Sequence, residues 1–304
     1  MLHDLIHHTS KKPREISWLT AKLQCSEKEL RSTIANGKKE GYNLHVTGQH
    51  VFTKLEVGVG ALVVIGKPSP GRHKIAHVTD THAGSRQFAP KALKKFLSFA
   101  WKEGCRSIAF TGDGTDGVKS ILLPEQRLHG ADEQIDELVD TMKGNPWKVA
   151  AITGNHDYYS SDAIGLDIGK IVEDRMRKAG LDWHHAGTCR GNAVIEGART
   201  HLWHPMGAAS TPNAIRRMLN SHAENLQDPT DLILAGHLHH VASCYAQAED
   251  IFCASGGCFQ VKKGSFGNRI SRPWDVGASI ISFTVDRRGR ASEFSSRFYP
   301  AVQT

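Results

Sequence analysis

Lys148-Val149-Ala150-Ala151-Ile152-Thr153-Gly154-Asn155-His156-Asp157 joins an apolar run of strand length directly to a cluster of polar donors. An apolar run of this length, bounded by turn residues, reads as a strand buried on both faces. Glycine at 154 permits the sharp exit that turns Asn155 toward a ligand. Open α/β sheets bind their ligands at the C-terminal ends of strands, where this junction lies. The same junction recurs four times. Lys74 to Thr79 runs into Asp80-Thr81-His82, and Ser107 to Phe110 into Gly112-Asp113-Gly114-Thr115-Asp116. Arg199 to His204 ends against Pro205, and Asp231 to Ala235 runs into Gly236-His237-Leu238-His239.

Residues two apart in extended chain point the same way, so Asp80 with His82, and His237 with His239, can aim paired donors at one point. Between the first two junctions, Leu93, Phe96, Leu97 and Ala100 recur at helical spacing, which makes a β-α-β unit. The donors are carboxylate, amide and imidazole with no thiolate, a set that suits manganese, iron or zinc. With 18 histidines in the chain, a single histidine is weak evidence. His77, His129, His184, His185 and His240 read as packing, surface or supporting groups. His201 competes with His204, which is preferred because it ends its strand beside Pro205.

In this order the clusters resemble the calcineurin-like metallophosphoesterases, whose pattern is Asp-x-His, Gly-Asp, Gly-Asn-His-Asp or -Glu, His, and Gly-His-x-His. The resemblance spans about Lys74 to Phe259. It implies an α/β fold in which two mixed β-sheets are sandwiched between helices. It further implies a binuclear centre in which Asp80, His82 and His239 hold one ion, Asn155, His204 and His237 hold the other, and Asp113 bridges them. Two divalent ions are the implied cofactors, manganese foremost, with iron, zinc, nickel or cobalt as alternatives. Such a pair lowers the pKa of a shared water, which as hydroxide attacks the phosphoester. His156, not a ligand in the family, is the candidate for stabilising charge or protonating the leaving oxygen. Asp116 resembles the carboxylate that orients this histidine, raising its pKa; Asp157 supports the loop.

Departures narrow the substrate. Protein phosphatases continue the second motif as Asp-Arg-Gly, whereas Gly117-Val118 follow Asp116 here, and the repair nucleases place a histidine where Asp116 stands. Two stretches could border the cleft: Ile121 to Asp140, in which Arg127 holds a phosphate or lies in a plain surface loop, and Ser160 to Gly169. The alternating Ala278 to Val285 reads as a strand completing the second sheet.

Ahead of this domain, Ile16, Leu19 and Leu23 recur at helical spacing, and Ser26 with Glu29 forms a capping box that opens a second helix carrying Leu30 and Ile34. That helix is expected to end near Glu40, before Gly41. Tyr42 to Phe52 alternates around Thr47-Gly48-Gln49 as a hairpin. With a first helix near Leu2 to His8, residues 1–53 resemble a winged helix-turn-helix domain. Lys28, Arg31, Ser32, Asn36 and Lys39 avoid the apolar stripe and could reach nucleic acid. Residues 54–73 read as a linker and 74–304 as the phosphoesterase domain.

Net charge is +7, and the first 72 residues hold 11 of the 38 basic but only 6 of the 31 acidic residues, a bias that invites a polyanion. Six scattered cysteines, no secretory signal and no apolar run long enough to span a bilayer point to a cytoplasmic protein without membrane insertion. The expected function is a metal-dependent phosphodiesterase acting on nucleic acid. The alternatives are a small-molecule phosphodiesterase or phosphomonoesterase whose front domain serves localisation or dimerisation, and a DNA-binding regulator with a non-catalytic phosphoesterase domain. Oligomeric state is left open.

Overall fold

The computed structural model describes residues 5, 8, 14–39, 44–53, 58–261 and 273–301. Two mixed sheets dominate. The apolar runs that precede the donor clusters form β6 (Gly71–Val78), β7 (Ser107–Thr111) and β8 (Lys148–Thr153), which pair in parallel with each other and with β9 (Asp182–Thr188). β15 (Gly277–Val285) and β16 (Ala291–Pro300) extend one edge antiparallel, and β4 (Gly58–Val59) the other, making seven strands. The second sheet has six, in the order β13 (Ala242–Ala246), β14 (Ile251–Ser255), β12 (Leu232–Ala235), β11 (Ala198–Trp203), β10 (Arg190–Ile195) and β5 (Val63–Ile65).

The sheets stack on a core of alanines and branched aliphatic residues: Ile75, Ala109, Ala150 and Ile152 from one, Ala193, Leu202, Leu232 and Ala254 from the other. Alanines here shorten the distance across which the sheets must meet. The outer face of the seven-stranded sheet carries α3 (Pro90–Lys102), α4 (Ala131–Met142) and α6 (Ile168–Lys178) through Leu93, Leu97, Leu138 and Met176. On the six-stranded sheet, α7 (Pro212–Glu224) buries Ile215 and Leu219; Pro212 opens it, and the Thr211 side chain caps Ala214 N at 3.3 Å. This is the sandwich expected from the motif order.

Three expectations are corrected. Of the expected linker 54–73, the described residues 58–73 are not one: β4 pairs with β9, and β5 pairs in parallel with β10, so this stretch belongs to both sheets. Its alternation of buried Val63 and Ile65 with exposed Val64 is an edge-strand pattern hidden among glycines. The strand at Ala278 to Val285 joins the sheet of β6 to β8, antiparallel to β6. Ser160 to Gly169 is no separate wall, because α5 (Asn155–Ile164) starts at the donor residue itself and a short turn leads into α6.

In the front segment α1 (Ile16–Leu23) and α2 (Glu27–Lys39) precede a hairpin of β2 (Leu44–Thr47) and β3 (His50–Thr53), to which β1 (Arg14–Glu15) adds a strand. Ser26 and Glu29 exchange the capping-box bonds, with Ser26 N donating to Glu29 Oε2 at 2.8 Å and Glu29 N to Ser26 Oγ at 3.3 Å. Leu5, Ile16, Leu19, Leu30, Ile34 and Val51 make a small core of their own. The first expected helix, apart from residues 5 and 8, and the expected helix end at Glu40-Gly41 lie outside the described residues. Among the described residues no helix is long and apolar enough to cross a membrane.

Candidate metal centre

β6, β7 and β8 of one sheet and β11 and β12 of the other end at the same place. Asp80 and His82 follow β6, Asp113 follows β7, Asn155 opens α5 after β8, His204 follows β11, and His237 and His239 follow β12. Two donor sets form there. Asp80, His82 and His239 bring one ligand atom each within 4.8 Å of one another, and so do Asp113, His204 and His237. His156 can also be grouped with His82 and Asp113 within that distance. Asn155 joins the second set, its Oδ1 lying 3.1 Å from His204 Nε2.

The backbone is bent to achieve this. Asp80, His82, Asp113, His237 and His239 have φ of 52°, 50°, 51°, 71° and 53°, and they are five of the ten non-glycine residues with positive φ among those described. Such conformations are unfavourable for L-residues and collect at functional sites. Close packing accounts for two of the motif glycines. A Cβ on Gly154 would lie 2.2 Å from Asp113 Oδ1, and one on Gly236 would lie 2.3 Å from Thr79 Oγ1 and 3.0 Å from His204 Nδ1.

Hydrogen bonds decide what each donor can hold. His204 Nδ1 lies 2.7 Å from the Thr111 carbonyl, which only accepts, so Nδ1 carries the hydrogen. Nε2 then faces two oxygen acceptors, Asp113 Oδ2 at 3.2 Å and Asn155 Oδ1 at 3.1 Å. A neutral ring would present its lone pair to both, so the position calls for a proton or a cation. Burial alone would lower the His204 pKa, but Asp113 outweighs it and the ring is pushed up to about 9. His82 repeats the arrangement: Nδ1 donates to Asp116 Oδ1 at 3.2 Å, leaving Nε2 3.2 Å from His239 Nε2 and 3.8 Å from Asp113 Oδ2. Carboxylates and carbonyls behind metal-binding histidines commonly fix the ring this way. The donor atoms therefore fit divalent cations.

The carboxylates are held as anions. Burial opposes ionisation of Asp113, but His204, then His156 and His82, keep its carboxyl well below the usual range. Its Oδ1 also accepts from His156 N at 2.8 Å, at the positive N-terminus of α5. Burial likewise opposes ionisation of Asp80, and His239 overcomes it. Asp80 accepts from His237 N at 2.8 Å and from Thr79 Oγ1 at 2.6 Å. Asp157 binds the 113–115 loop to α5, accepting from Gly114 N at 3.1 Å, Thr115 N at 2.8 Å and Gly154 N at 2.9 Å.

Other expectations shift. The Asp116 carboxylate lies on His82; it is the Asp116 backbone carbonyl, 2.8 Å away, that takes His156 Nδ1, the carboxylate being 3.9 Å off. With the carboxylate turned away, burial dominates and the His156 pKa is lowered, against the increase expected. Arg127 is paired with Glu137. His201 lies outside the cluster, its Nδ1 bonded to Asn192 Oδ1 at 2.7 Å and its ring beside His222 of α7. Four groups around the site had no sequence signal: the Thr111 carbonyl, the Thr79 hydroxyl, Tyr159 against Asn155, and Trp274, whose ring meets His239 edge to face at 4.5 Å. On α2, Lys28, Arg31, Ser32 and Asn36 are exposed opposite buried Leu30 and Ile34; Arg31 pairs with Glu27 at 2.7 Å, and the Lys39 side chain lies outside the described residues.

No protein-family model and no curated protein matches this chain. Among solved structures it is similar to a candidate 5′-nucleotidase of Staphylococcus aureus, at 9% identity and a TM-score of 0.41, over 77% of this chain and 55% of that one. It is similar to Vps29 of Chaetomium thermophilum at 10% identity and a TM-score of 0.40, over 75% of this chain and 99% of that one. For the calcineurin-like phosphoesterase YfkN of Bacillus subtilis the figures are 10% and 0.38, over 77% and 92%. The chain thus spans about half the length of the nucleotidase.

Proposed function

We propose that this protein is a two-metal phosphodiesterase of the calcineurin-like type, acting on nucleic acid. The observation that carries the reading is the pair of donor sets meeting at Asp113, with His204 Nε2 turned toward two oxygens and His82 Nε2 toward His239 and Asp113. Asp80, His82 and His239 would hold one ion, Asn155, His204 and His237 the other, and Asp113 both. When bound, two divalent cations supply charge to phosphoryl oxygens and acidify a water between them.

The chain's own residues do the rest. His156 Nδ1 donates to the Asp116 carbonyl, which leaves Nε2 as the free nitrogen of a half-buried ring. A phosphoester anion beside that ring favours the imidazolium, whose Nε2 proton can pass to the leaving oxygen. His156→Ala is expected to lower kcat about 10²- to 10⁴-fold with bound manganese unchanged. The loss should be larger for thymidylyl-thymidine than for bis-p-nitrophenyl phosphate, because nitrophenolate leaves without a proton. Equal losses on the two esters would remove His156 from the acid role.

Nucleic acid as substrate is favoured by the basic front segment and by the exposed row Lys28, Arg31, Ser32 and Asn36 on α2. Phosphate contacts by such residues are salt-dependent. K28A/R31A is expected to weaken binding of duplex DNA about tenfold and to reduce the salt slope by roughly two, with bis-p-nitrophenyl phosphate hydrolysis unaffected. Binding that keeps its affinity and slope in that variant would assign the front segment another task.

A further inference from the structure

Beside the donor cluster, one cation faces an aromatic ring. Lys119 is exposed, and its Nζ sits 3.8 Å from the centre of the Tyr159 ring. Among the described residues it makes no ion pair; Asp162, which it draws toward ionisation against partial burial, is the carboxylate that feels it. The backbone leading to it is pinned. Gly117 N donates to Gln134 Oε1 at 2.9 Å, Val118 N donates to Ser160 Oγ at 3.0 Å, and the Gly117 carbonyl accepts from Gln126. Tyr159 is tied to the site itself. Its ring lies 5.2 Å from that of His156, and its Oη accepts from Asn155 Nδ2 at 3.4 Å, which leaves the phenolic hydrogen free and turns Asn155 Oδ1 toward His204.

An ammonium over an aromatic face is common on protein surfaces, where it is worth about 0.5–1 kcal/mol. Three features distinguish this one: a pinned backbone, an unpaired charge, and a ring that contacts both a candidate ligand and the candidate acid. The Tyr159 ring thus links the two groups, 3.8 Å from the Lys119 ammonium and 5.2 Å from the His156 ring. We propose that Lys119 and the Tyr159 hydroxyl form a subsite for a second phosphate, the one adjacent to the scissile group along a polynucleotide. This rests on the phosphodiesterase reading and names its substrate class more closely: a chain with successive phosphates in preference to an isolated ester.

The test is calorimetric binding of thymidine 3′,5′-bisphosphate and thymidine 5′-monophosphate to the full-length, manganese-loaded protein, alongside hydrolysis of bis-p-nitrophenyl phosphate. The wild type is expected to bind the bisphosphate about tenfold more tightly than the monophosphate, as one added charge-assisted contact implies. K119A should remove most of that preference by weakening the bisphosphate alone, and K119R should keep it. A wild type that does not discriminate, or a K119A protein that weakens both nucleotides equally, overturns the subsite. Hydrolysis of the nitrophenyl ester without bisphosphate preference defeats the subsite and leaves the enzyme reading intact. Bisphosphate preference that depends on Lys119 without any ester hydrolysis does the reverse.

Discussion

Asp113→Asn is expected to lower kcat/KM for bis-p-nitrophenyl phosphate by about 10⁴-fold, about 5 kcal/mol of lost transition-state stabilisation, and to reduce bound manganese from two ions per chain to fewer than one. The two donor sets differ in every other member. Asp80, His82 and His239 belong to one and His204 and His237 to the other, whereas Asp113 Oδ2 approaches both His204 Nε2, at 3.2 Å, and His82 Nε2, at 3.8 Å. Asparagine keeps the shape and can still accept from His156 N, so the fold is retained while the shared charge is lost. His237→Ala should cost less metal, since it removes a donor from one set alone. Metal content by mass spectrometry, with a melting curve for each variant, separates the cases. An Asp113→Asn protein that keeps two ions and a tenth of its activity would sink the bridging role.

Donor clusters were legible because each abuts a buried strand. Lys148 to Thr153 appears in the structure with the bounds its apolar pattern implies, and β7 differs by the single residue Thr111. A parallel strand covered on both faces writes a continuous apolar run, and a donor at its end has no other structural task. Which sheet a strand joins is a different matter. Nothing in Arg199 to His204 or Asp231 to Ala235 distinguishes them from β6 to β8, yet β11 and β12 lie in the opposite sheet, and the centre spans the two. Short edge strands were missed for a related reason: β4 and β5 together hold five residues, too few for a periodicity to show. The ring partners of His204 and His156 are the carbonyls of Thr111 and Asp116, and every residue has a carbonyl, so no residue type could have marked them. The Asp116 carboxylate, expected on His156, lies on His82 instead, a choice set by the path of the 113–118 loop.

Two buried histidines, His77 and His201, and the half-buried His222 predict an acid limb in stability. His77, His201 and His222 are each pushed down to about 4, burial being the first cause in all three. Among the described residues His77 Nδ1, His201 Nε2 and His222 Nε2 have no hydrogen-bond partner, so none gains a contact there on protonation. In the unfolded chain these rings take up protons near pH 6.5. Above that value neither state is charged and their contribution to stability is fully present. As pH falls from 6.5 toward 4 the unfolded state binds protons that the folded state does not, and stability is lost; below 4 the loss levels off. Each of the two buried rings accounts for on the order of 3 kcal/mol at most, and the partly exposed His222 for less because solvent screens it. Urea unfolding at pH 7, 6 and 5 should show midpoints falling throughout. His222 stacks on Trp203 at 3.7 Å and 3°, a contact that phenylalanine can keep. His222→Phe should therefore flatten the slope by about one proton between pH 6 and 5 while leaving the midpoint at pH 7 nearly unchanged. A slope identical to that of the wild type would show that His222 keeps its ordinary pKa in the folded protein.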